Sequence, residues 1–362
     1  MSKVRTLSLW LFALALIGFG AEVGARLDDW AFADVPFLAT PNRERDLTVH
    51  DEHGFHGRPH GRFKKWKLNA IGFRGPEVSD KPANDIRRIM VLGASETIGL
   101  YESEGKEYAV QLEAMLKKNH PDVEVVNAAM AGMSLASMKS YWERWASRAE
   151  PNVVLIYPSP MFYLNTDMPT APAADAPAPE DPPISLPEHV RMWPRIQDVI
   201  RQSEWLRPMR QARFRWRTEA MLQGKPADWV WSELPKDRLK QFGEDLRDLV
   251  RSIRAKRGIP VLITHANRSP HPPTPQDLGE LDAMRFFFPR AKAEIITVFE
   301  EQARAAVVRI AEEETVRCID AASKMTDDRK AWFADEVHFT DAGATRFAGI
   351  VAGALEPMLT GR

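Results

Sequence analysis

Ser95, Asp335 and His338 have the residue types and the spacing needed to transfer an acyl group. Ser95 comes two residues after Gly93, where a buried apolar run ends. Asp335 and His338 are three residues apart, which places both side chains on one side of a turn or of the start of a helix. The carboxylate can then accept the Nδ1 proton of the imidazole and leave Nε2 free as a general base for the serine hydroxyl. The combination predicts a serine nucleophile that forms an acyl-enzyme.

Backbone N–H groups near Ser95 could stabilise the negative charge of such a reaction. If a helix starts close to Ser95, its first N–H groups face the serine hydroxyl and favour an oxyanion there. A second apolar run ends at Asn127 and is followed by Gly132. A glycine at that place lets the backbone approach a ligand closely and offers another N–H.

An alternating pattern of apolar runs and amphipathic stretches predicts the elements that position these residues. Two of the stretches, Pro235–Gly258 and Ala293–Glu314, have apolar residues at helical spacing. Alternating strands and helices predict a parallel sheet covered on both faces, with ligands beyond the C-terminal ends of the strands. The predicted strands are Arg88–Gly93, Val123–Asn127, Val153–Tyr157, Pro260–His265 and Val316–Asp320.

Over about residues 86–355 the chain resembles the SGNH/GDSL hydrolase superfamily, in its membrane-anchored bacterial form. The first block of that family, GDSxTxG, corresponds to Gly93–Gly99, and the second, Asn-x-x-x-x-Gly, to Asn127–Gly132. The DxxH block corresponds to Asp335–His338, and Leu68–Glu77 also looks like the anchored members. The resemblance implies a three-layer α/β/α flavodoxin-like fold with about five parallel strands, preceded by a transmembrane helix.

The resemblance also implies a role for each matched residue. Ser95 would be the nucleophile, His338 the base and Asp335 the residue that orients the base. The backbone amides of Ser95 and Gly132 would form the oxyanion hole. Neither a metal nor a nucleotide cofactor is implied.

Two positions depart from the family pattern. Ala94 replaces the usual aspartate of the first block, a residue that is not catalytic in the family. In the third block, GxND, a gap-free reading places Met161 where the family has an asparagine that donates to the oxyanion. Loss of one such donor costs roughly 3–4 kcal/mol of transition-state stabilisation. Another group must replace it, with Ser159, Asn165 or Asn267 as candidates, or the enzyme is slow or specialised.

Two other α/β sites fit the Ser95 segment less well. A dinucleotide-binding turn would need glycine where Glu96 stands, because a carboxylate repels a pyrophosphate. An ordinary α/β-hydrolase elbow, GxSxG, would need glycine at Thr97. A non-catalytic envelope or assembly protein on a decayed hydrolase fold stays open, since it would explain the missing asparagine.

The N-terminus predicts a membrane anchor. Thr6–Ala21 is a run of sixteen residues without a charge, preceded by Lys3 and Arg5. A helix that crosses a bilayer needs roughly 17–25 mostly apolar residues, which an extension to Ala25 supplies. The positive-inside rule then places the body of the protein outside the cytoplasm, in the bacterial periplasm or at the cell surface. A cleaved signal peptide is the alternative, with Val23–Ala25 as the cleavage site.

The remaining segments divide the chain into a membrane anchor or signal sequence (1–30), an irregular lead-in (31–85) and one catalytic domain (86–362). The domain carries a Pro- and Arg-rich insertion at about 160–235, with a Pro-rich loop at 165–186 and a helical stretch at 187–222. The segment 187–217 has a net charge of +5, which suits an anionic glycan, lipid headgroups or an ordinary solvated face.

The positions of the histidines, the single cysteine and the net charge limit the other classes of function. Four histidines lie between His50 and His60, without a metal-ligand spacing, and a solvated hairpin is the simpler interpretation. His265, after the fourth strand, is either a pocket residue or a structural one. The single cysteine, Cys318, excludes a disulfide framework and is expected in the core. A net charge of −1 over 362 residues disfavours a nucleic-acid binder.

These observations together predict a membrane-anchored, extracytoplasmic serine esterase. Its substrates would be O-acyl esters, including acetyl esters, of glycans or lipids. An O-acyltransferase acting on an envelope or exopolysaccharide is the first alternative. The predicted partners are a small-molecule or glycan ester and, through the N-terminal helix, the membrane; no nucleic acid, nucleotide or other cofactor is expected.

Overall fold

The computed structural model describes residues 3–32, 35–40, 43–167, 189–203, 205–270 and 272–360. The chain begins with a long helix, α1 (Lys3–Phe32). The lead-in, which was expected to be irregular, contains two short antiparallel hairpins. These are β1 (Thr48–Asp51) with β2 (Gly54–Gly57), and β3 (Arg62–Phe63) with β4 (Trp66–Lys67).

From residue 87 onward, strands alternate with helices as predicted. In chain order the elements are β5 (Arg87–Gly93), α2 (Ser95–Ile98), α3 (Tyr108–Leu116), β6 (Val123–Asn127), α4 (Leu135–Arg144), β7 (Val153–Tyr157), α5 (Met192–Gln202), α6 (Arg207–Leu222), α7 (Lys236–Ala255), β8 (Ile259–Ile263), α8 (Pro275–Met284), α9 (Ala293–Glu313), β9 (Arg317–Ile319), α10 (Arg329–Trp332) and α11 (Asp341–Thr360). The last two strands are shorter than predicted, so that His265 lies beyond β8 and Asp320 beyond β9.

Five parallel strands form the central sheet in the order β6-β5-β7-β8-β9. Helices cover both faces, because successive side chains of each strand point to opposite sides. On β5, Met90 and Leu92 pack in the core built with α4, α7 and α9, whereas Ile89 and Val91 pack in the core built with α3 and α11. This is the three-layer α/β/α architecture, with a flavodoxin-like strand order, that the sequence predicted.

The strand order creates a crevice at the C-terminal edge of the sheet. The chain passes from β5 to β6 on one side and then returns to β7 on the other side of β5. The loops that leave β5 and β7 therefore diverge, and ligands bind at such a switch point in open α/β sheets. Ser95 follows β5 directly and lies at this crevice.

The insertion differs from its prediction in one respect. Residues 168–188, which include most of the predicted Pro-rich loop, lie outside the described residues. The single helical stretch expected over 187–222 is two helices, α5 and α6, separated at residues 203–206. Pro208 explains the break, because proline is tolerated in the first turn of a helix but removes a hydrogen bond from a helix interior.

Helix α1 is long and apolar enough to cross a membrane. The most apolar 18-residue window of the segment Arg5–Phe32 has a mean hydropathy of 1.8, and none of this window is buried in the rest of the protein. Among the described residues it is the one helix with these properties, and a signal sequence would have them too.

Candidate active site

A sharp turn at the end of β5 presents Ser95. Ala94 precedes α2, and Ser95 is the first residue of that short helix, as the oxyanion argument required. Gly93 is needed for the turn, because a Cβ at this position would lie only 2.0 Å from Thr97 Oγ1. The Ser95 hydroxyl therefore stands at the sheet edge, where it lines the crevice.

The three residues predicted to act together lie within hydrogen-bond distance of one another. Ser95 Oγ is 2.9 Å from His338 Nε2, across 243 residues of sequence. His338 Nδ1 is 2.7 Å from Asp335 Oδ2 and 2.9 Å from Asp335 Oδ1. With the Nδ1 proton donated to the carboxylate, Nε2 is free to accept the proton of Ser95.

A closed bend holds Asp335 and His338 in this geometry, in place of the helical start that was one of the predicted forms. An isolated bridge joins Phe333 to Phe339, and the amide of Ala334 donates to the carbonyl of His338 at 2.8 Å. Asp335 Oδ1 also accepts the amides of Val337 (3.0 Å) and His338 (2.9 Å). Burial alone would raise the pKa of Asp335, but the imidazole and the two amides outweigh it and hold the pKa at about 2. The carboxylate is therefore ionised wherever His338 can act as a base.

The loop after β6 brings Gly132 to the same crevice. Gly132 has a φ of +80°, a conformation that favours glycine, and it lines the cavity with Ser95. Asn127 holds this loop against the serine turn: its Nδ2 donates to the carbonyl of Thr97 (2.9 Å) and its Oδ1 accepts the amide of Ala129 (3.1 Å). The asparagine of the second block thus positions the backbone that carries Gly132.

The cavity over Ser95 has a volume of about 700 Å³. Met161 borders it at the position where an oxyanion-donating asparagine was expected. Of the three candidate replacements, Ser159 and Asn165 also line this cavity. Asn267 borders a separate, much smaller cavity that Met161 also lines. The geometry therefore favours Ser159 or Asn165 over Asn267 as a substitute donor.

A buried group of charges that the sequence did not predict lies beside the serine. Glu96 is 2% exposed, and its Oε2 is 3.4 Å from Ser95 Oγ. Its Oε1 is 3.4 Å from Nε2 of His265, whose Nδ1 is 2.9 Å from Glu300 Oε2. Burial opposes each charge, yet the attraction between them holds the pKa of Glu96 well below and that of His265 well above the usual value. His265 is thus a buried partner of Glu96, which fits the structural interpretation of this histidine.

The charges around His338 determine the pH at which it can act as a base. Burial lowers the pKa of His338, but the negative charges of Asp335, Glu96 and Glu102 raise it by more than burial lowers it. The pKa therefore lies above the ordinary value of 6.5. Because only the neutral imidazole accepts a proton, activity is expected to rise with pH along a limb whose midpoint lies above 6.5. Replacing Glu96 by Gln removes one negative charge and keeps the shape, so the limb should move to lower pH. A profile of kcat/KM against pH measures this, with exposed Glu244→Gln on α7 as the control.

If kcat/KM of Glu96→Gln depends on pH in the same way as that of the native protein and is equally large, Glu96 does not raise the pKa of His338. A second carboxyl also titrates in this range, since burial raises the pKa of Glu102 to about 7. Measuring the pH profile of Glu102→Gln in the same way separates the effect of Glu102 from that of Glu96.

Helix α6 of the insertion forms one wall of the cavity. Arg207, Arg210, Gln211 and Phe214 line it, at the i, i+3, i+4 and i+7 positions of one helix face. Nη2 of Arg207 lies 3.1 Å from Glu280 Oε2 and 3.5 Å from Glu336 Oε1. The same cavity also has apolar lining, to which the described residues Leu100, Met161, Phe162, Phe214, Met284, Phe287 and Phe288 contribute.

The histidines of the lead-in and the single cysteine lie away from this cavity. His56 stacks on Trp145, with ring centroids 3.7 Å apart, and its Nε2 is 3.1 Å from Asp51 Oδ2. Among the described residues no group of His, Cys, Asp and Glu has an arrangement that could hold a metal ion. Cys318 is half-buried in β9, and burial raises the pKa of its thiol to about 11.

The fold and the site define an α/β/α protein in which a serine, a histidine and an aspartate meet at a strand switch point. Among solved structures the chain is similar to TesA (13% identity, TM-score 0.44, covering 75% of this chain and 99% of that one). It is also similar to a lipase/acylhydrolase from Enterococcus faecalis (15%, 0.41, 76% and 99%) and to Axe2, an acetylxylan esterase from Geobacillus stearothermophilus (16%, 0.41, 76% and 95%). No family model matches the sequence, and no relative is found among curated proteins. Likeness at this level concerns the fold alone.

Proposed function

We propose that the protein is a membrane-anchored serine hydrolase that cleaves O-acyl esters outside the cytoplasm. The observation that carries the proposal is the hydrogen-bonded series of Ser95, His338 and Asp335, in which Oγ and Nε2 are 2.9 Å apart. A serine, a base and an orienting carboxylate in this order form the arrangement that acyl transfer requires.

The reaction follows from these positions. His338 Nε2 removes the Ser95 proton while Oγ attacks the ester carbonyl, and the amides of Ser95 and Gly132 receive the negative charge of the oxygen. The tetrahedral intermediate then collapses: the bond to the alcohol breaks, the alcohol leaves with the proton held by His338, and the acyl group stays on Ser95. Water, deprotonated by His338, releases the acid and restores the serine.

The location and the substrate class rest on different features. Helix α1 supports an uncleaved anchor because Glu22, which precedes the candidate cleavage site, accepts the amides of Arg191 (3.1 Å) and Met192 (3.0 Å). A signal peptide cut after Ala25 would remove Glu22 and leave these two amides without this partner. Esters of envelope glycans or lipids are the substrates available to such a protein.

Covalent labelling tests the nucleophile. The full chain in mild detergent should react with a serine-directed fluorophosphonate and should hydrolyse a short-chain p-nitrophenyl ester. Ser95→Ala should abolish both activities, whereas Ser140→Ala, which changes a half-buried serine on α4, should retain them. Labelling that survives in Ser95→Ala would contradict the assignment, and an unlabelled native protein would favour the non-catalytic alternative.

The same preparation separates a hydrolase from an O-acyltransferase. Both begin with the acyl-enzyme, and they differ only in whether water or a sugar hydroxyl takes the acyl group. We expect free acid as the main product when a glycan acceptor is added, as the proposed hydrolase requires. Acylated glycan as the main product would instead establish the transferase.

A further inference from the structure

Helix α6 has two chemically different faces. Its inner face, with Arg207, Arg210 and Phe214, lines the cavity over Ser95. On its outer face, Met209 is 69% exposed and Trp216 is 67% exposed. Arg213, which is also exposed, lies between them on the same helix face: Arg213 is at i+4 and Trp216 at i+7 from Met209.

Exposed apolar side chains are also present on α5 and in the segment between the two helices. Trp205, just before α6, is 85% exposed, and Val199 on α5 is 68% exposed. Soluble proteins seldom expose so many large apolar side chains close together in sequence. Trp beside Arg is the composition of a surface that lies at the boundary between acyl chains and headgroups. We call Val199, Trp205, Met209, Arg213 and Trp216 the outer surface.

Ion pairs and helix-end contacts join this insertion to the candidate membrane helix. Glu22, the first charged residue after the apolar run of α1, accepts the amides of Arg191 (3.1 Å) and Met192 (3.0 Å) at the start of α5. A carboxylate at that place is favoured by the helix dipole. Arg191 is 2% exposed and donates to the carbonyls of Pro36 (2.6 Å) and Ala39 (2.9 Å). Helix α5 is therefore held where α1 would leave the bilayer.

We propose that the outer surface lies on the anionic bilayer in which α1 is embedded, so that the ester drawn into the cavity belongs to a membrane lipid. This inference rests on the proposed function and on α1 as an uncleaved anchor. Arg213 and Arg217 are exposed on α6, and their positive charges complement anionic headgroups. With a helix diameter of about 10 Å, α6 would place the cavity one helix away from the lipid.

The cavity itself fits a lipid acyl chain better than an acetyl group. Its volume of about 700 Å³ and its apolar wall of Met and Phe side chains would leave a two-carbon acyl group largely without contacts. An acyl chain would lie against these apolar side chains, in a cavity that Arg207 and Arg210 also line. Substrate class and membrane contact thus follow from the two faces of one helix.

Fluorescence from a single labelled site tests the contact without any measurement of activity. The full chain with Met209→Cys is labelled with an environment-sensitive nitrobenzoxadiazole dye and reconstituted in vesicles of phosphatidylcholine and phosphatidylglycerol. Each labelled variant also carries Cys318→Ala, which removes the single native cysteine, so that only the introduced thiol reacts. Val110→Cys is the matched control, since this exposed residue lies on α3, across the sheet from α4, α7 and α9.

We expect the dye at position 209 to emit at shorter wavelength and to lose most of its emission to nitroxide lipids, while the dye at position 110 changes little. Omitting phosphatidylglycerol, or adding Arg213→Gln, should weaken the quenching. Equal and weak quenching at both positions, or failure of the chain to float with vesicles, would overturn the proposal.

Turnover gives a second, separable result. We expect Trp216→Ser to lower the ratio of vesicle-borne to soluble ester hydrolysed. Quenching at position 209 without Ser95-dependent turnover would leave the membrane contact in place and refute the hydrolase. Ser95-dependent turnover without quenching would support the hydrolase and refute the membrane contact.

Discussion

Replacing Asp335 by Asn is expected to lower kcat about 10⁴-fold with little change in KM. The carboxylate now accepts the Nδ1 proton of His338 at 2.7 Å, which leaves Nε2 as the acceptor for Ser95. An amide at this position can donate to Nδ1 and would favour the tautomer with its proton on Nε2. That imidazole cannot accept the serine proton, although the site keeps its shape and still binds the ester.

Steady-state kinetics on a soluble ester measures this effect, and thermal unfolding shows whether the variant is folded. Asp237→Asn is the control, because Asp237 lies on the exposed side of α7 and its side chain is 73% exposed. A loss of only about tenfold would mean that Asp335 does not fix the tautomer, and the backbone amides of Val337 and His338 would then be its main partners.

The meeting of Ser95 with His338 could be predicted from sequence because parallel strands carry their C-terminal ends to one edge. Each strand is a short apolar run. Ser95 follows the first of these runs, and Asp335 and His338 lie in a bend after the last one. The sequence separation of 243 residues therefore did not matter. The flavodoxin-like order of the strands followed from the family resemblance and not from the runs themselves.

The buried charges next to the serine could not be predicted in the same way. Glu96, His265 and Glu300 belong to three separate elements, and nothing in their local sequence shows that they meet. From the sequence alone, Glu96 is evidence only against a pyrophosphate site. The one available signal was a carboxylate in a segment that is otherwise buried, since such a charge needs a partner.

The separation of α5 from α6 was within reach of the sequence. Pro208 stands in the middle of the stretch that was predicted as one helix, and a proline there ends or starts a helix. The contacts of α5 with α1 were out of reach, because they join residues about 170 positions apart through ion pairs. Charged side chains at the surface rarely reveal their partners by pattern alone.

The lead-in contributes a buried arginine that the motif comparison did not single out. Arg74 is 7% exposed, and its guanidinium donates to the carbonyls of Ile98 and Gly99, at the end of the helix that Ser95 begins. The same group forms a buried ion pair with Glu107, which precedes α3. One residue of the segment before the domain thus joins the nucleophile turn to the next helix.

Arg74→Ala is therefore expected to lower the free energy of unfolding by about 3–5 kcal/mol, because it leaves Glu107 buried without a cation and two carbonyls without a donor. Lys at this position should recover little, since a single ammonium cannot reach three acceptors in the geometry of a guanidinium. Denaturant unfolding of the full chain in mild detergent measures the change. Arg247→Ala, which breaks the exposed pair with Glu313, should cost less than about 1 kcal/mol.

A double variant shows whether the unpaired charge is the cause. Arg74→Met with Glu107→Leu removes both members of the pair, and replacing a buried ion pair by apolar groups is far less costly than breaking it. We expect the double variant to be more stable than Arg74→Ala, and yet to hydrolyse esters more slowly than the native protein. Stability returns because no charge is left buried alone, whereas the carbonyls of Ile98 and Gly99 still lack the donor that fixes the end of α2. If the double variant is no more stable than Arg74→Ala, the carbonyl contacts and not the ion pair hold this part of the fold.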